Sequence, residues 1–120
     1  MKFEILEKTF LHKDVSIKDA IKNLSNSSLQ ISFLVNKENK IISTITDGDI
    51  RRALLQGKTL EDSAFDISNK KPIVATHLDS LSSIKKIMED YKVNQIPIVD
   101  EKNRIKDLKL FTDFTTIEKN

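Results

Sequence analysis

The second half of this chain repeats the first. Val35 stands 64 positions before Val99, and the same interval separates Asn39 from Asn103, Lys40 from Arg104, Ile41 from Ile105 and Asp49 from Asp113, with no gap required. A tandem duplication constrains the fold more than any single local signal. One copy carries too little apolar face to close a core. Two copies packed together bury each other's sheets and leave equivalent corners facing a shared cleft. With 120 residues in all, the chain is one domain long and buries roughly two-thirds of the surface its unfolded form exposes. The expected division is a first repeat over 1–58, a connector over 59–71 and a second repeat over 72–120.

Each copy reads as β-α-β-β-α. Residues 7–11 have the content of a short strand, with Phe10 and Leu11 turned inward. Ser16 and Asp19 have capping-box spacing, although Asp is a poorer reach-back partner than Glu. Ile17, Ala20, Ile21 and Leu24 then fall on one helical face, which Ser25, Asn26, Ser27 and Ser28 end. Residues 30–35 and 41–45 are β-branched, strand-like runs joined by a polar turn. Residues 50–57 make a short helix with Gly57 as its stop. The connector has helical character, placing Leu60, Ala64 and Ile67 on one side, until Pro72 forbids continuation. In the second copy, residues 73–76 read as a strand, and Leu81, Ile84 and Met88 repeat the helical face. Residues 95–99 are a strand whose Pro97 lacks a ladder donor, which predicts a place near an edge or strand start. After another polar turn, residues 105–111 form a strand and Thr112 begins a final short helix. The fold class is α+β, two β-α-β-β-α repeats packed sheet to sheet.

The chemistry concentrates at Thr46-Asp47-Gly48-Asp49-Ile50-Arg51-Arg52, where a strand runs directly into a helix. The free N–H groups of such a helix start stabilise anions, phosphate above all. Thr46 adds a hydroxyl, and Asp49, in the first turn, offers two acceptor oxygens suited to vicinal hydroxyls. Taken alone, the stretch reads more readily as Asp47 capping the helix, Asp49 favouring its dipole and both arginines lying on a solvated face.

Other chemistries find little support. A net charge of +2 without a basic cluster argues against nucleic acid. Few aromatics and no Trp leave no base-stacking platform. The absence of Cys removes disulfides, thiolate nucleophiles and zinc–thiolate sites. His12 and His77 occupy similar places before each copy's first helix, where turn hydrogen bonds explain them, so no catalytic residue and no metal site is expected. Asp47-Gly48-Asp49 lacks the further oxygen ligands of a calcium loop. The N-terminus is charged throughout and no run approaches membrane-spanning length, so no membrane association is expected and the cytoplasm is the expected location.

Each half resembles a CBS domain, and the chain resembles a complete tandem pair, a Bateman module. The residues that carry the resemblance are Ser16 to Ile21, Thr46 to Arg52, and Asn94 to Ile105, with the Ile96-Pro97-Ile98-Val99-Asp100 run the most specific part. It implies a regulatory module that binds an adenosine-type nucleotide (AMP, ADP or ATP) in the cleft between repeats and pairs through its helices into a disc-shaped homodimer. The family's Thr-or-Ser, two residues, then Asp pattern falls on Thr46 and Asp49, flanked by Gly48, Arg51 and Arg52. In the second repeat Asp113 is present but Leu110 holds the hydroxyl position, so one competent site is expected, with at most a weak second. The family's adenine pockets point to Leu11, Ile31 and Phe33 on one side and Thr76, Ile96 and Pro97 on the other; plain core is the competing reading of these residues. The wording of Thr46 to Arg52 is also similar to CBS pairs attached to bacterial sugar-phosphate enzymes. It implies a fused or adjacent sugar-1-phosphate nucleotidyltransferase. A dimerisation or docking scaffold with a vestigial pocket is the rival reading.

Overall fold

A computed structural model describes residues 3–27 and 29–118. Met1, Lys2, Ser28, Lys119 and Asn120 fall within the expected repeats and lie outside the described residues. The elements in order are α1 (Phe3–Glu7), β1 (Phe10–Leu11), α2 (Ile17–Ser27), β2 (Ile31–Val35), β3 (Ile41–Thr46), α3 (Asp47–Leu55), α4 (Ala64–Ile67), β4 (Ala75–Thr76), α5 (Leu81–Tyr91), β5 (Gln95–Val99), β6 (Ile105–Leu110) and α6 (Phe111–Glu118). They form two three-stranded sheets, β1-β2-β3 and β4-β5-β6. In each sheet the first strand pairs parallel to the middle one and the last pairs antiparallel to it.

The duplication is visible in the register itself. Ile31 pairs with Thr46 as Gln95 pairs with Leu110, and both sheets carry an irregularity at the same place, Leu34/Val35 and Ile98/Val99. The hairpin turns also match. Asn39 and Asn103 both adopt the left-handed conformation, with φ 64° and 65°, which Asn tolerates better than most residues. The two turns clasp each other, since the Ile41 amide donates to the Asn103 carbonyl and the Ile105 amide to the Asn39 carbonyl, each at 3.1 Å.

Three apolar layers follow from strand alternation. Ile31, Phe33, Val35 and Ile41 of the first sheet meet Val99, Ile105 and Leu108 of the second, so the repeats pack sheet to sheet. Leu34 and Ile45 face the other way, against Ile17, Ala20 and Leu24 of α2 and Ile50 of α3. In the second repeat Ile96 and Ile98 meet Ile84 and Met88 of α5 and Phe114 of α6. Each large side chain buried this way contributes about 1.5–3 kcal/mol. The capping box of α2 is present: the Asp19 amide donates to Ser16 Oγ and the Ser16 amide to Asp19 Oδ2, both at 3.1 Å.

Four expectations need correction. Residues 3–7 are helical where a strand was expected from residue 7, and the strand is confined to Phe10–Leu11. Leu6 is the reason, because it is 1% exposed and inserts between the sheets. The connector forms a single turn, Ala64–Ile67, capped by Ser63, and Leu60 is exposed rather than aligned with it. Pro97 lies in the middle strand of its sheet, not at an edge or strand start. It is tolerated there because β4 stops short of it: at the equivalent place the Phe33 amide donates to the Thr9 carbonyl at 2.9 Å, a bond Pro97 cannot make. For the same reason the strand expected over 73–76 shortens to Ala75–Thr76.

Candidate functional site

The corner between β3 and α3 is held by its own side chains. Thr46 is extended (φ −127°) and caps α3. Its hydroxyl accepts from the Asp49 amide at 3.4 Å, and Asp49 Oδ2 accepts from the Thr46 amide at 3.0 Å and from the Thr46 hydroxyl at 3.1 Å. The other oxygen, Oδ1, accepts from Arg52 Nη2 at 2.7 Å. The carboxylate is thereby fixed in place while remaining 18% exposed.

This corner opens onto the seam between the repeats. One cavity of about 330 Å³ is bordered by Thr46, Asp47 and Gly48 on the first repeat and by Lys92, Asn94 and Gln95 on the second. An adjoining one of about 190 Å³ is bordered by Ile31, Thr44, Asp49 and Asn69, with Ile73, Gln95 and Pro97 of the second repeat opposite. Ile31, Thr46, Val93 and Gln95 border both. The lobe at the start of α3 is bordered by Asp47 and Gly48, the first residues of that helix, and by Lys92 and Asn94 across from them. Ile31, Ile73 and Val93 give the second lobe an apolar surface, with the fully buried Pro97 behind it.

Several expected residues are not brought to the cleft. Phe33 is fully buried between the sheets. Ile96 is 0% exposed and faces α5 and α6, on the opposite side of β5 from the cleft. Leu11 packs on the helix side of the first sheet. Thr76 is engaged in its own turn, its amide donating to Asp79 Oδ2 at 2.8 Å, and it borders neither cavity. Arg51 is exposed on α3 away from both. Strand period two explains Ile96: once Phe33 faces the partner sheet, its equivalent Pro97 does too, so Gln95 and not Ile96 shares that face.

The equivalent corner at Asp113 is filled. Asp113 Oδ2 accepts from the Leu110 amide at 2.9 Å, so half of the capping box survives. Where the first corner has Thr44, Thr46 and Pro97, the second has Leu108, Leu110 and Phe33, packed into one apolar cluster with Leu6 of α1. Asp113 itself is exposed.

Sequence reasoning missed Gln30, Thr44, Asn69, Ile73, Lys92, Val93, Asn94 and Gln95. Lys92 caps α5 in the left-handed conformation (φ 56°), and no Gly or Asn marks that turn. Asn69 is docked as a short bridge, its amide donating to the Thr44 carbonyl at 2.8 Å and its carbonyl accepting from the Thr44 amide at 3.0 Å. Among the described residues no group of three or more His, Asp or Glu is placed to hold a metal ion, and no helix is long and apolar enough to cross a membrane.

The sequence matches the family described as CBS domain over residues 5–56 and 64–107. A protein of Helicobacter pylori strain J99 is 34% identical over 91 residues, which are 75% of this chain and 28% of that protein. The chain therefore spans less than a third of that relative's length. Among solved structures, the CBS domain protein PAE2072 of Pyrobaculum aerophilum, complexed with AMP, has a TM-score of 0.77 at 18% identity, covering 87% of this chain and 80% of that one. The CBS domain pair of protein MJ0100, complexed with 5′-methylthioadenosine and S-adenosyl-L-methionine, has a TM-score of 0.79 at 23% identity, covering 92% of this chain and 86% of that one.

Proposed function

Since this chain belongs to the CBS domain family, we propose that it is a regulatory module binding one adenosine-type nucleotide in the cleft at Thr46 and Asp49. The observation that carries this reading is the asymmetry of the two corners. The Asp49 carboxylate and the start of α3 border a cavity shared by both repeats, whereas the Asp113 corner is filled with apolar side chains. In this reading Asp49 accepts the ribose hydroxyls and the α3 N–H groups at Asp47 and Gly48 receive phosphate, with Lys92 supplying a countercharge from the second repeat. Ile31, Ile73 and Val93 enclose the base. The solved relatives with AMP, 5′-methylthioadenosine and S-adenosyl-L-methionine support the adenosine class.

Ligand touching both repeats would favour one relative orientation of them, and a catalytic domain attached to the module would feel that preference. The H. pylori relative, of which this chain spans 28%, supports placing the module within a longer protein. We take the catalytic partner to be a sugar-1-phosphate nucleotidyltransferase of the cytoplasm, on the wording of Thr46 to Arg52. Pairing of two modules through their helices is supported by the exposure of Leu55 on α3 (81%) and Tyr91 on α5 (61%).

The test is thermal melting against AMP, ADP, ATP, GTP, CMP and nucleotide sugars. A ligand at a hundred times its Kd adds about 2.7 kcal/mol, which for a domain of this size raises Tm by about 10 °C. Adenosine nucleotides are expected to raise the melt. If no member of the panel does, the module is a docking scaffold and the nucleotide reading is wrong.

A further inference from the structure

The Asp49 carboxylate stands in the wall between two spaces. On one side is the inter-repeat cavity described above. On the other is an outer groove of about 250 Å³ bordered by Arg52, Ala53, Gln56, Lys58, Asp66 and Ile67. Arg52 reaches Asp49 from the outer side, with Nη2 at 2.7 Å from Oδ1. Its guanidinium lies over Gly48, close enough that a Cβ at Gly48 would fall 3.2 Å from Nη1.

A carboxylate offers about four acceptor positions. Thr46 uses two on Oδ2 and Arg52 one on Oδ1. A pair of ribose hydroxyls arriving from the cleft needs two, and the oxygen with room for them is the one Arg52 holds. The ligand and the arginine therefore compete. The Arg52 side chain is 64% exposed, so the contest is close: an exposed ion pair of this kind restrains a competitor by about two- to fivefold.

We propose that Arg52 is a latch on Asp49, closed in the ligand-free module and released by the ribose, so that it sets the affinity of the site without forming part of the pocket. This rests on the nucleotide reading above and adds to it the residue that opposes binding. Once released, Arg52 has the outer groove to occupy.

The probe is adenosine, which carries no charge and so has no salt dependence of its own. Binding is measured by isothermal titration on the wild-type chain, Arg52→Ala and Arg52→Lys, from about 20 mM to about 500 mM salt. The expected result is adenosine binding two- to fivefold tighter to Arg52→Ala than to wild type at low salt. Wild-type affinity should rise with salt as the pair is screened, Arg52→Lys should keep part of that rise, and Arg52→Ala should be flat. Equal or weaker binding to Arg52→Ala, or the same salt dependence in both proteins, overturns the latch while leaving the nucleotide site standing. A wild-type chain that binds neither adenosine nor AMP overturns both. A merely structural Arg52 would change the melting temperature without removing the salt dependence for a neutral ligand.

Discussion

Replacing Asp49 by Ala separates what this carboxylate does for the fold from what it does for the ligand. In the free protein the substitution removes the acceptor for the Thr46 amide and hydroxyl, at 3.0 and 3.1 Å, and for Arg52. Thr46 keeps its own cap on the Asp49 amide, and Arg52 is solvated, so the loss is that of one capping interaction, about 1 kcal/mol. That lowers Tm by about 4 °C. For the ligand the loss is larger. Two hydrogen bonds to a charged acceptor, at about 1.5 kcal/mol each, come to about 3 kcal/mol, or roughly a hundredfold in Kd. At a nucleotide concentration that gives the wild type about 2.7 kcal/mol, the variant gains about 0.4 kcal/mol. Differential scanning fluorimetry should therefore record a variant that still melts cooperatively, about 4 °C lower, with its ligand shift cut from about 10 °C to under 2 °C. An Asp49→Ala protein that keeps the full ligand shift refutes the assignment of the ribose to this residue.

Three further outcomes follow from the same structure. Leu6→Ala opens a hole in the filled second corner, where Leu6 is 1% exposed, and should cost about 2–5 kcal/mol in urea unfolding. Lys92→Gly should relieve the left-handed cap at φ 56° and raise stability by about 1 kcal/mol, while ATP binding weakens severalfold and adenosine binding, measured in parallel, is unaffected. Burial pushes the Asp100 carboxyl up, but the Arg104 amide and guanidinium and the Lys102 amide outweigh it and hold the pKa at about 2 rather than 3.8. The sign is that of a depressed carboxylate: its stabilisation is complete above 3.8 and is lost as pH falls towards about 2. Asp100→Asn should thus be less stable than wild type at neutral pH, with the gap closing over that acid window in pH-dependent melts. Asn36, at the equivalent turn, already bonds the Glu38 and Lys40 amides, so the variant has a folded precedent within the same chain.

What could be read from the residues was whatever the duplication printed twice. The interval between Asp49 and Asp113 reappears as identical strand register in both sheets, and Thr46 ends β3 with Asp49 in the first turn of α3, although the capping box they form was not read. The errors came where one copy departs from the other. Phe33 and Pro97 occupy equivalent positions, yet one fills a corner and the other borders an open one; composition cannot tell a plug from a wall. The helix Phe3–Glu7 went unread because Leu6 fills a gap between sheets that only the assembled pair creates. Lys92 and Asn69 reach the cleft through a left-handed cap and an isolated bridge, neither of which has a periodic signature. Leu110 was the readable sign of the asymmetry, and Leu108, in place of Thr44, completes it.

Isothermal titration of AMP into the wild-type chain measures the number of sites, which is the quantity the two unlike corners determine. One AMP per chain is the expected result, bound where Asp49 borders the inter-repeat cavity. Two AMP per chain, or none, contradicts it.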